Sequence, residues 1–223
     1  MPFTLHVSQE VCLVLSFFLD MHVLAVRGPD TLATVERSLV KYKKKPLNYK
    51  VAFGDPGILV HRLHMDARTC RYGSPTNCAH KFCFVKHGGD SDARVRELSE
   101  AYGIKAFSPY VEWAQMFRQM ETCEFLLCRS LHCIIVADAI KTPSVFFQFP
   151  NNTNPEPMHK YRDYYKSVGV NTNDIPYYED VPRAMAYLQG GQHVKIHTAE
   201  MVKDLVEAFP FYLFKRSIVD QLY

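Results

Sequence analysis

The sequence predicts an α/β fold in which short parallel strands alternate with helices. Short apolar runs are followed by turn-forming residues and then by segments of helical periodicity, and this alternation repeats along most of the 223-residue chain. Strands joined by helices favour parallel pairing with right-handed crossovers. Because 48% of the residues are hydrophobic, the chain can bury the core that such a sheet requires.

Residues 1–80 are predicted to form the first unit, which contains two strand-and-turn segments. The apolar run "HVLAV" ends at Arg27 and is followed by a helix that Asp30 or Thr31 is expected to cap. The segment "YKVAFGDPGILV" repeats the strand and turn. The apolar run at 11–19 is shorter than the roughly 20 residues that span a bilayer, so it is predicted to be a core segment.

Residues 81–223 are predicted to form the second unit, with a more regular alternation. The predicted strands are "KFCFV", "IKAF", "EFLLC" and "PSVFFQF". Between them lie predicted helices, of which the first is closed by Gly103 and the second buries Trp113, Phe117 and Met120. A last helix is expected to start at Thr198.

Charge and cysteine content exclude some classes of function. The formal net charge is +3, and no basic surface typical of nucleic-acid binding is evident, so no nucleic-acid partner is expected. The seven cysteines form no C-x-x-C pair, and the spacing of Cys70, Cys78 and Cys83 matches no zinc site. Reduced, buried thiols and no metal are therefore predicted.

A candidate site follows the predicted strand "EFLLC". In open α/β sheets, ligands bind beyond the carboxyl ends of the strands, where helix N-termini present unpaired N–H groups to anions. Arg129, Ser130, Leu131 and His132 occupy this position. An imidazole in the first helical turn can bind phosphate or transfer a proton, although a single histidine is more often structural.

Polar residues also follow other predicted strands. Arg27, Asp55 and His87 each come directly after a short apolar run and lie in or beside a glycine-containing turn. Taken singly, each is typical of a surface charge, a turn or a loop. Because parallel strands end at one edge of a sheet, their shared position predicts a common cleft.

These segments together resemble the polysaccharide pyruvyl transferase family, in its exopolysaccharide branch. The segments are "LAVRGPDT", "VAFGDPGIL", "FVKHGGD", "LLCRSLHCIIVADAIKTPSV" and "HKYRDYY", and the similarity covers most of residues 20–210. The resemblance implies a GT-B-like fold of two Rossmann-like domains, with a truncated first domain in residues 1–80 and the second in 81–223. It also implies transfer of a pyruvyl group from phosphoenolpyruvate to a sugar as a ketal.

The resemblance implies roles for particular residues. His132 matches the histidine that binds or protonates phosphoenolpyruvate, and it is the predicted catalytic residue. Predicted substrate-binding residues match other family motifs: they are Arg27, Asp55, His87, Arg129, Ser130, Leu131, Lys160 and Arg162. The base that accepts the sugar proton stays open between Asp55 and Asp138, and Asp138 is expected to be structural.

The implied substrates are phosphoenolpyruvate and a glycan acceptor, without a further cofactor, and the implied setting is membrane-associated polysaccharide machinery. Cytoplasmic localisation is expected, with the secretory pathway or Golgi as the eukaryotic alternative. The glycosylation sequence at residues 151–153 is a weak indication of that route. Two other functions stay open: a GT-B-like glycosyltransferase that uses a nucleotide sugar, and an inactive glycan-binding remnant.

Overall fold

The computed structural model describes residues 23–60, 78–151, 155–191, 196 and 198–209, and within them the chain is an α/β protein. The predicted core segment at 11–19 and Cys70 lie outside these residues. Seven strands and seven α-helices occur in the described ranges. In chain order they are β1 (Ala25–Val26), α1 (Pro29–Lys41), β2 (Ala52–Phe53), β3 (His80–Val85), α2 (Asp92–Tyr102), β4 (Lys105–Phe107), α3 (Trp113–Glu121), β5 (Cys123–Cys128), α4 (Leu131–Ala139), β6 (Ser144–Phe147), α5 (Met158–Ser167), β7 (Tyr177–Tyr178), α6 (Val181–Gln189) and α7 (Thr198–Ala208).

The main sheet is parallel and Rossmann-like, with the strand order β4-β3-β5-β6-β7. The chain first runs from β3 outward to β4, then returns past β3 to β5 and continues in the other direction. The order therefore reverses between β3 and β5. Loops that leave the carboxyl ends of two such strands diverge to opposite faces and leave a crevice, which is where open α/β sheets bind ligands.

Both faces of the sheet are buried because its side chains alternate between two apolar clusters. Phe84, Leu127 and Phe147 point to the face covered by α2 and α6. Cys83 and Leu126 point to the other face, which α3, α4, α5 and α7 cover. Burial on both faces explains why the strands read as continuous apolar runs rather than as alternating ones. No helix in the described part of the chain is both long enough and apolar enough to cross a membrane.

The N-terminal residues form a small second sheet that packs on the helices of the first. Strands β1 and β2 pair in parallel, and a 3-10 helix, Pro56–Leu59, follows β2. This 3-10 helix contacts α4, while α7 contacts both β2 and the 3-10 helix. Helix α4 is thus covered on both sides, which explains why six of its nine residues are buried.

The cysteines correct one prediction. Cys83 is disulfide-bonded to Cys123, and Cys128 to Cys133, whereas reduced thiols were expected. Strands β3 and β5 are neighbours in the sheet, and the turn between β5 and α4 brings Cys128 within 5.5 Å (Cα to Cα) of Cys133. The Cys83–Cys123 pair, 40 residues apart, arises from strand pairing, and the Cys128–Cys133 pair, five residues apart, depends on the geometry of the turn.

Two local features differ from the sequence prediction, and one prediction about a helix end is confirmed. Trp113 is the first residue of α3 and is 57% exposed, while Phe117 and Met120 are buried as predicted. Gly103 closes α2 in the left-handed conformation, as predicted. Strand β7 was not predicted, because it has only two residues and extends the sheet only by pairing with β6.

Helix α1 is capped by a residue from another helix, where a local cap was expected. Its N-cap is Gly28, and Asp30 lies inside the helix. The Asp163 carboxylate of α5 accepts hydrogen bonds from the Asp30 N–H (2.7 Å), the Thr31 N–H (3.2 Å) and the Thr31 hydroxyl. A Cβ at Gly28 would lie 2.2 Å from the Asp163 carbonyl oxygen, so only glycine allows this approach. A buried anion thus satisfies the N–H groups at the start of α1.

We expect Asp163→Ala to lower the free energy of unfolding by about 2 kcal/mol, because it leaves the N-terminal N–H groups of α1 without their acceptor. Chemical denaturation of the full chain measures the change. Asp174→Ala removes an exposed carboxylate and serves as the control. Equal stability of the Asp163 variant and the wild type would contradict this role for the cap.

Candidate functional site

The crevice between the ends of β3 and β5 collects the charged residues of the candidate site. Arg129 directly follows β5, and His87 and Asp90 follow β3. Arg27 follows β1 in the small sheet, and Lys160 lies in the first turn of α5. Ion pairs and charge interactions show that these residues, distant in the sequence, are neighbours in the structure.

Arg129 is the buried centre of the site. Its side chain is 2% exposed, and its Nε donates to Asp90 Oδ1 at 2.9 Å. Asp90 is 4% exposed and also accepts from the backbone N–H of His87 at 2.6 Å through Oδ2. The Nη1 of Arg129 is buried and has no hydrogen-bond partner. A buried guanidinium N–H without an acceptor is costly for the protein alone and available to an anion.

Arg27 and Lys160 complete what we call the basic cluster, namely Arg27, Arg129 and Lys160. The Nε of Arg27 is also buried without a hydrogen-bond partner. Burial lowers the pKa of Lys160, and the charges of Arg27 and Arg129 lower it further. The three cations are therefore close enough to repel one another, and an anion bound among them would relieve this repulsion.

Glu156 is an acid inside this basic environment. One oxygen, Oε1, lies 3.2 Å from His87 Nε2, and the other forms an ion pair with Lys160 Nζ. The side chain of Glu156 is 12% exposed. His87 Nδ1 accepts the Gly89 N–H at 3.2 Å, so in its neutral form the ring carries its proton on Nε2, the nitrogen that faces Glu156. Both ring nitrogens of His87 are thereby engaged.

His132 lies in the first turn of α4, three residues after Arg129, and its side chain is 62% exposed. Its Nε2 is 3.8 Å from Asp55 Oδ2. Asp55 starts the 3-10 helix, where its Oδ1 accepts the Gly57 N–H at 2.9 Å. The carboxylate is thus held in place beside the imidazole.

Ser130 and Leu131 have structural contacts. The Ser130 hydroxyl accepts the Cys133 N–H at 3.3 Å and so caps α4. The Leu131 side chain is 2% exposed and belongs to the apolar cluster beneath α4. Its side chain therefore faces the core, and only its backbone lies at the sheet edge.

Arg162 lies away from the other predicted site residues. It is exposed on α5, two residues after Lys160, which places it about 200° around the helix axis. The structure thus brings together Arg27, His87, Arg129 and Lys160, and places Asp55 beside His132.

Sequence reasoning missed Asp90 and Glu156. Asp90 follows "HGG" and looked like an ordinary turn residue, and Glu156 lies in a polar loop rich in asparagine and proline. Asp90 pairs with Arg129, 39 residues away, and Glu156 contacts His87 in another element, so neither contact has a spacing signal. The i,i+4 spacing of Glu156 and Lys160 was the one signal that the sequence offered. Apart from this spacing, the sequence showed only that Asp90 and Glu156 are acidic residues.

Asp138, the other candidate for the base, is half-buried in the helical layer. Burial raises the pKa of its carboxyl group to about 7, and the Tyr164 hydroxyl donates to its Oδ2 at 2.7 Å. This position within the core agrees with the expected structural role and separates it from the exposed imidazole of His132.

The raised pKa of Asp138 predicts that the stability of the protein falls as the pH rises. Between its unfolded value near 3.8 and its folded value near 7, the native state binds more protons than the unfolded chain, so the free energy of unfolding decreases with pH. Over this window the loss is about 4 kcal/mol. Denaturation of Asp138→Asn at pH 4 and pH 8 should show a smaller decrease than in the wild type. If the free energy of unfolding of both proteins had the same pH dependence, the raised pKa of Asp138 would be contradicted.

The chemistry of the site suits an anion. The buried Arg129 guanidinium, the half-buried Arg27 guanidinium and the Lys160 ammonium group match the oxygens of a phosphate or a carboxylate. The exposed imidazole of His132 with its partner Asp55 is suited to proton transfer. Searches against protein-family models, curated proteins and solved structures found no match to this chain.

Proposed function

We propose that this protein is a transferase that moves a pyruvyl group from phosphoenolpyruvate to a glycan as a ketal. The observation that carries the proposal is the basic cluster with its unpartnered, buried Arg129 Nη1, on the turn that also bears the exposed imidazole of His132. The segments that resemble polysaccharide pyruvyl transferases provide these same residues. An anionic donor and a nearby acid are the two requirements of the reaction.

Phosphoenolpyruvate matches the charges of the site. It carries a phosphate and a carboxylate close together, and the basic cluster offers three neighbouring cations, two of which have a buried nitrogen without a hydrogen-bond partner. Arg129 is held by Asp90, so its outer nitrogen keeps one direction before the ligand arrives. Such preorganisation lowers the entropic cost of binding.

In the proposed reaction, protonated His132 gives its proton to the methylene carbon of phosphoenolpyruvate, which becomes a methyl group. The positive charge that develops on the neighbouring carbon is attacked by a sugar hydroxyl, and a second hydroxyl then displaces phosphate. Two new C–O bonds replace the C–O bond to phosphate and the carbon–carbon π bond. One hydroxyl proton restores His132, and the other leaves with the phosphate. Asp55 stabilises the imidazolium before transfer.

The proposal includes the GT-B-like arrangement that the resemblance implies. In it, the small β1–β2 sheet stands for the first Rossmann-like domain and the five-stranded sheet for the second. Arg27 and Asp55 come from the first part, while Arg129, His132 and Lys160 come from the second. The acceptor would enter between them, where the exposed side of His132 faces solvent.

The disulfides favour the secretory pathway over the cytoplasm as the site of action. Stable disulfides form in oxidising compartments and are rare in reducing ones. Cys83–Cys123 and Cys128–Cys133 are both buried. Asn151, which begins the glycosylation sequence, is exposed. Glycans that are modified in the secretory pathway are accordingly the proposed acceptors.

Thermal unfolding in the presence of different donors tests the proposal. We expect phosphoenolpyruvate at millimolar concentration to raise the Tm, because a ligand that binds only the native state stabilises it. A uridine-diphosphate sugar should have a smaller effect. Phosphate release from phosphoenolpyruvate should then depend on an added glycan.

Each alternative has its own result in the same experiment. Greater protection by the nucleotide sugar would favour a glycosyltransferase. Protection by neither donor, together with binding to glycans alone, would favour a glycan-binding protein without activity. Either result would contradict pyruvyl transfer.

A further inference from the structure

We propose that Glu156 is a built-in competitor for the anion site, which a bound anion must displace from Lys160. This inference rests on the proposed function, since it concerns the same basic cluster. It adds a residue that neither the strand-end pattern nor the resemblance indicated. The structure would then show the site closed by its own carboxylate.

The first argument is charge. The basic cluster has three cations, and Glu156 is the carboxylate that pairs with Lys160. Asp90 pairs with Arg129 from the other side, through Nε, and leaves Nη1 without an acceptor. Glu156 therefore neutralises the cation that an incoming phosphate or carboxylate would also need.

The second argument is how Glu156 is attached. Gln148, which is 3% exposed, accepts the Glu156 N–H at 3.1 Å and donates to the Glu156 carbonyl oxygen at 3.3 Å. The backbone of Glu156 is thus held by Gln148, while its carboxylate pairs with the side chains of His87 and Lys160. The carboxylate can leave Lys160 by side-chain rotation without any change in the fold.

The third argument is that the carboxylate still has a partner after it leaves Lys160. His87 Nε2 lies 3.2 Å from Oε1 and is 41% exposed. When an anion binds Lys160 in place of Glu156, Glu156 keeps its contact with His87, so the displaced carboxylate is still paired. The exchange thus breaks the ion pair between Glu156 and Lys160 and leaves no buried charge without a partner.

The affinity of inorganic phosphate, measured by calorimetry on the full chain, tests the inference. Glu156→Gln should lower the Kd of phosphate by about tenfold, which corresponds to about 1.4 kcal/mol. Asp90→Asn makes the same change in net charge at the other acid of the site. It should raise the Kd, because Asp90 orients Arg129 and does not contact Lys160.

The opposite changes in Kd expected for the two variants distinguish displacement of Glu156 from a general effect of the added positive charge. If both variants bind phosphate more tightly, the added positive charge alone explains the effect and the inference is overturned. It is also overturned if Glu156→Gln binds phosphate as the wild type does or more weakly. Should Glu156→Gln not fold, Glu156→Asp is the second variant: its shorter side chain cannot reach both partners, and an intermediate Kd is expected.

Failure of the proposed function gives a different result. Tighter phosphate binding by Glu156→Gln without glycan-dependent consumption of phosphoenolpyruvate supports the competitor and contradicts pyruvyl transfer. Absence of phosphate binding in the wild type and in Glu156→Gln contradicts both.

Discussion

His132→Gln is expected to lower the rate of glycan-dependent phosphoenolpyruvate consumption by roughly 10²–10⁴-fold, the usual contribution of a positioned general acid. Glutamine keeps a similar size and a polar end but cannot release a proton near neutral pH. Because the His132 side chain is 62% exposed, its replacement should leave the free energy of unfolding nearly unchanged. Steady-state kinetics and thermal unfolding on the same preparation measure the two effects.

His159→Gln is the matched control, because His159 is also an exposed histidine in the first turn of a helix, α5. Its activity should equal that of the wild type. Phosphoenolpyruvate should still raise the Tm of His132→Gln, since the basic cluster is intact. Wild-type activity in His132→Gln would refute the assignment of this residue as the acid.

Arg129→Met is expected to lower the free energy of unfolding by about 3–5 kcal/mol and to abolish protection by phosphoenolpyruvate. Methionine fills part of the volume but leaves the Asp90 carboxylate buried without its cation, which is the costly way to break a buried ion pair. The second effect follows because Arg129 holds the unpartnered nitrogen of the site. Urea denaturation and thermal shift measure the two quantities.

Arg162→Met removes the same charge from an exposed position on α5 and should change neither quantity by much. The double variant Arg129→Met with Asp90→Leu should recover much of the lost stability, because it removes both charges together. It should not recover protection by phosphoenolpyruvate. Recovery of protection in the double variant would show that Arg129 does not bind the donor.

The fold class was predictable because its signals are local. Each strand of the main sheet except β7 is an apolar run with a turn or a helix at its end, and alternation of strands and helices implies parallel pairing. Gly103 marked the end of α2 for the same reason, since a left-handed residue at a helix end favours glycine. Strand β7, with two residues, has no such pattern and exists only through its pairing with β6.

The candidate site was predictable only in part. The rule that polar residues gather at strand ends found Arg27, His87 and Arg129, and the resemblance added Lys160. Neither the strand-end rule nor the resemblance indicated a role for Asp90, Glu156 or Asp163, because these roles depend on which partner the fold brings near each residue. The cysteines show the same limit: Cys83 and Cys123 are 40 residues apart in the chain.

The cover on both sides of α4 has a consequence for how a proton would reach the donor. A helix packed between a sheet and a second layer opens only when much of the protein unfolds, so the backbone that bears His132 is among the least mobile parts of the chain. Rotation of the exposed ring about its side-chain bonds takes picoseconds to nanoseconds and needs no loop movement. Orientation of the ring toward a donor would then be fast compared with the arrival of substrates.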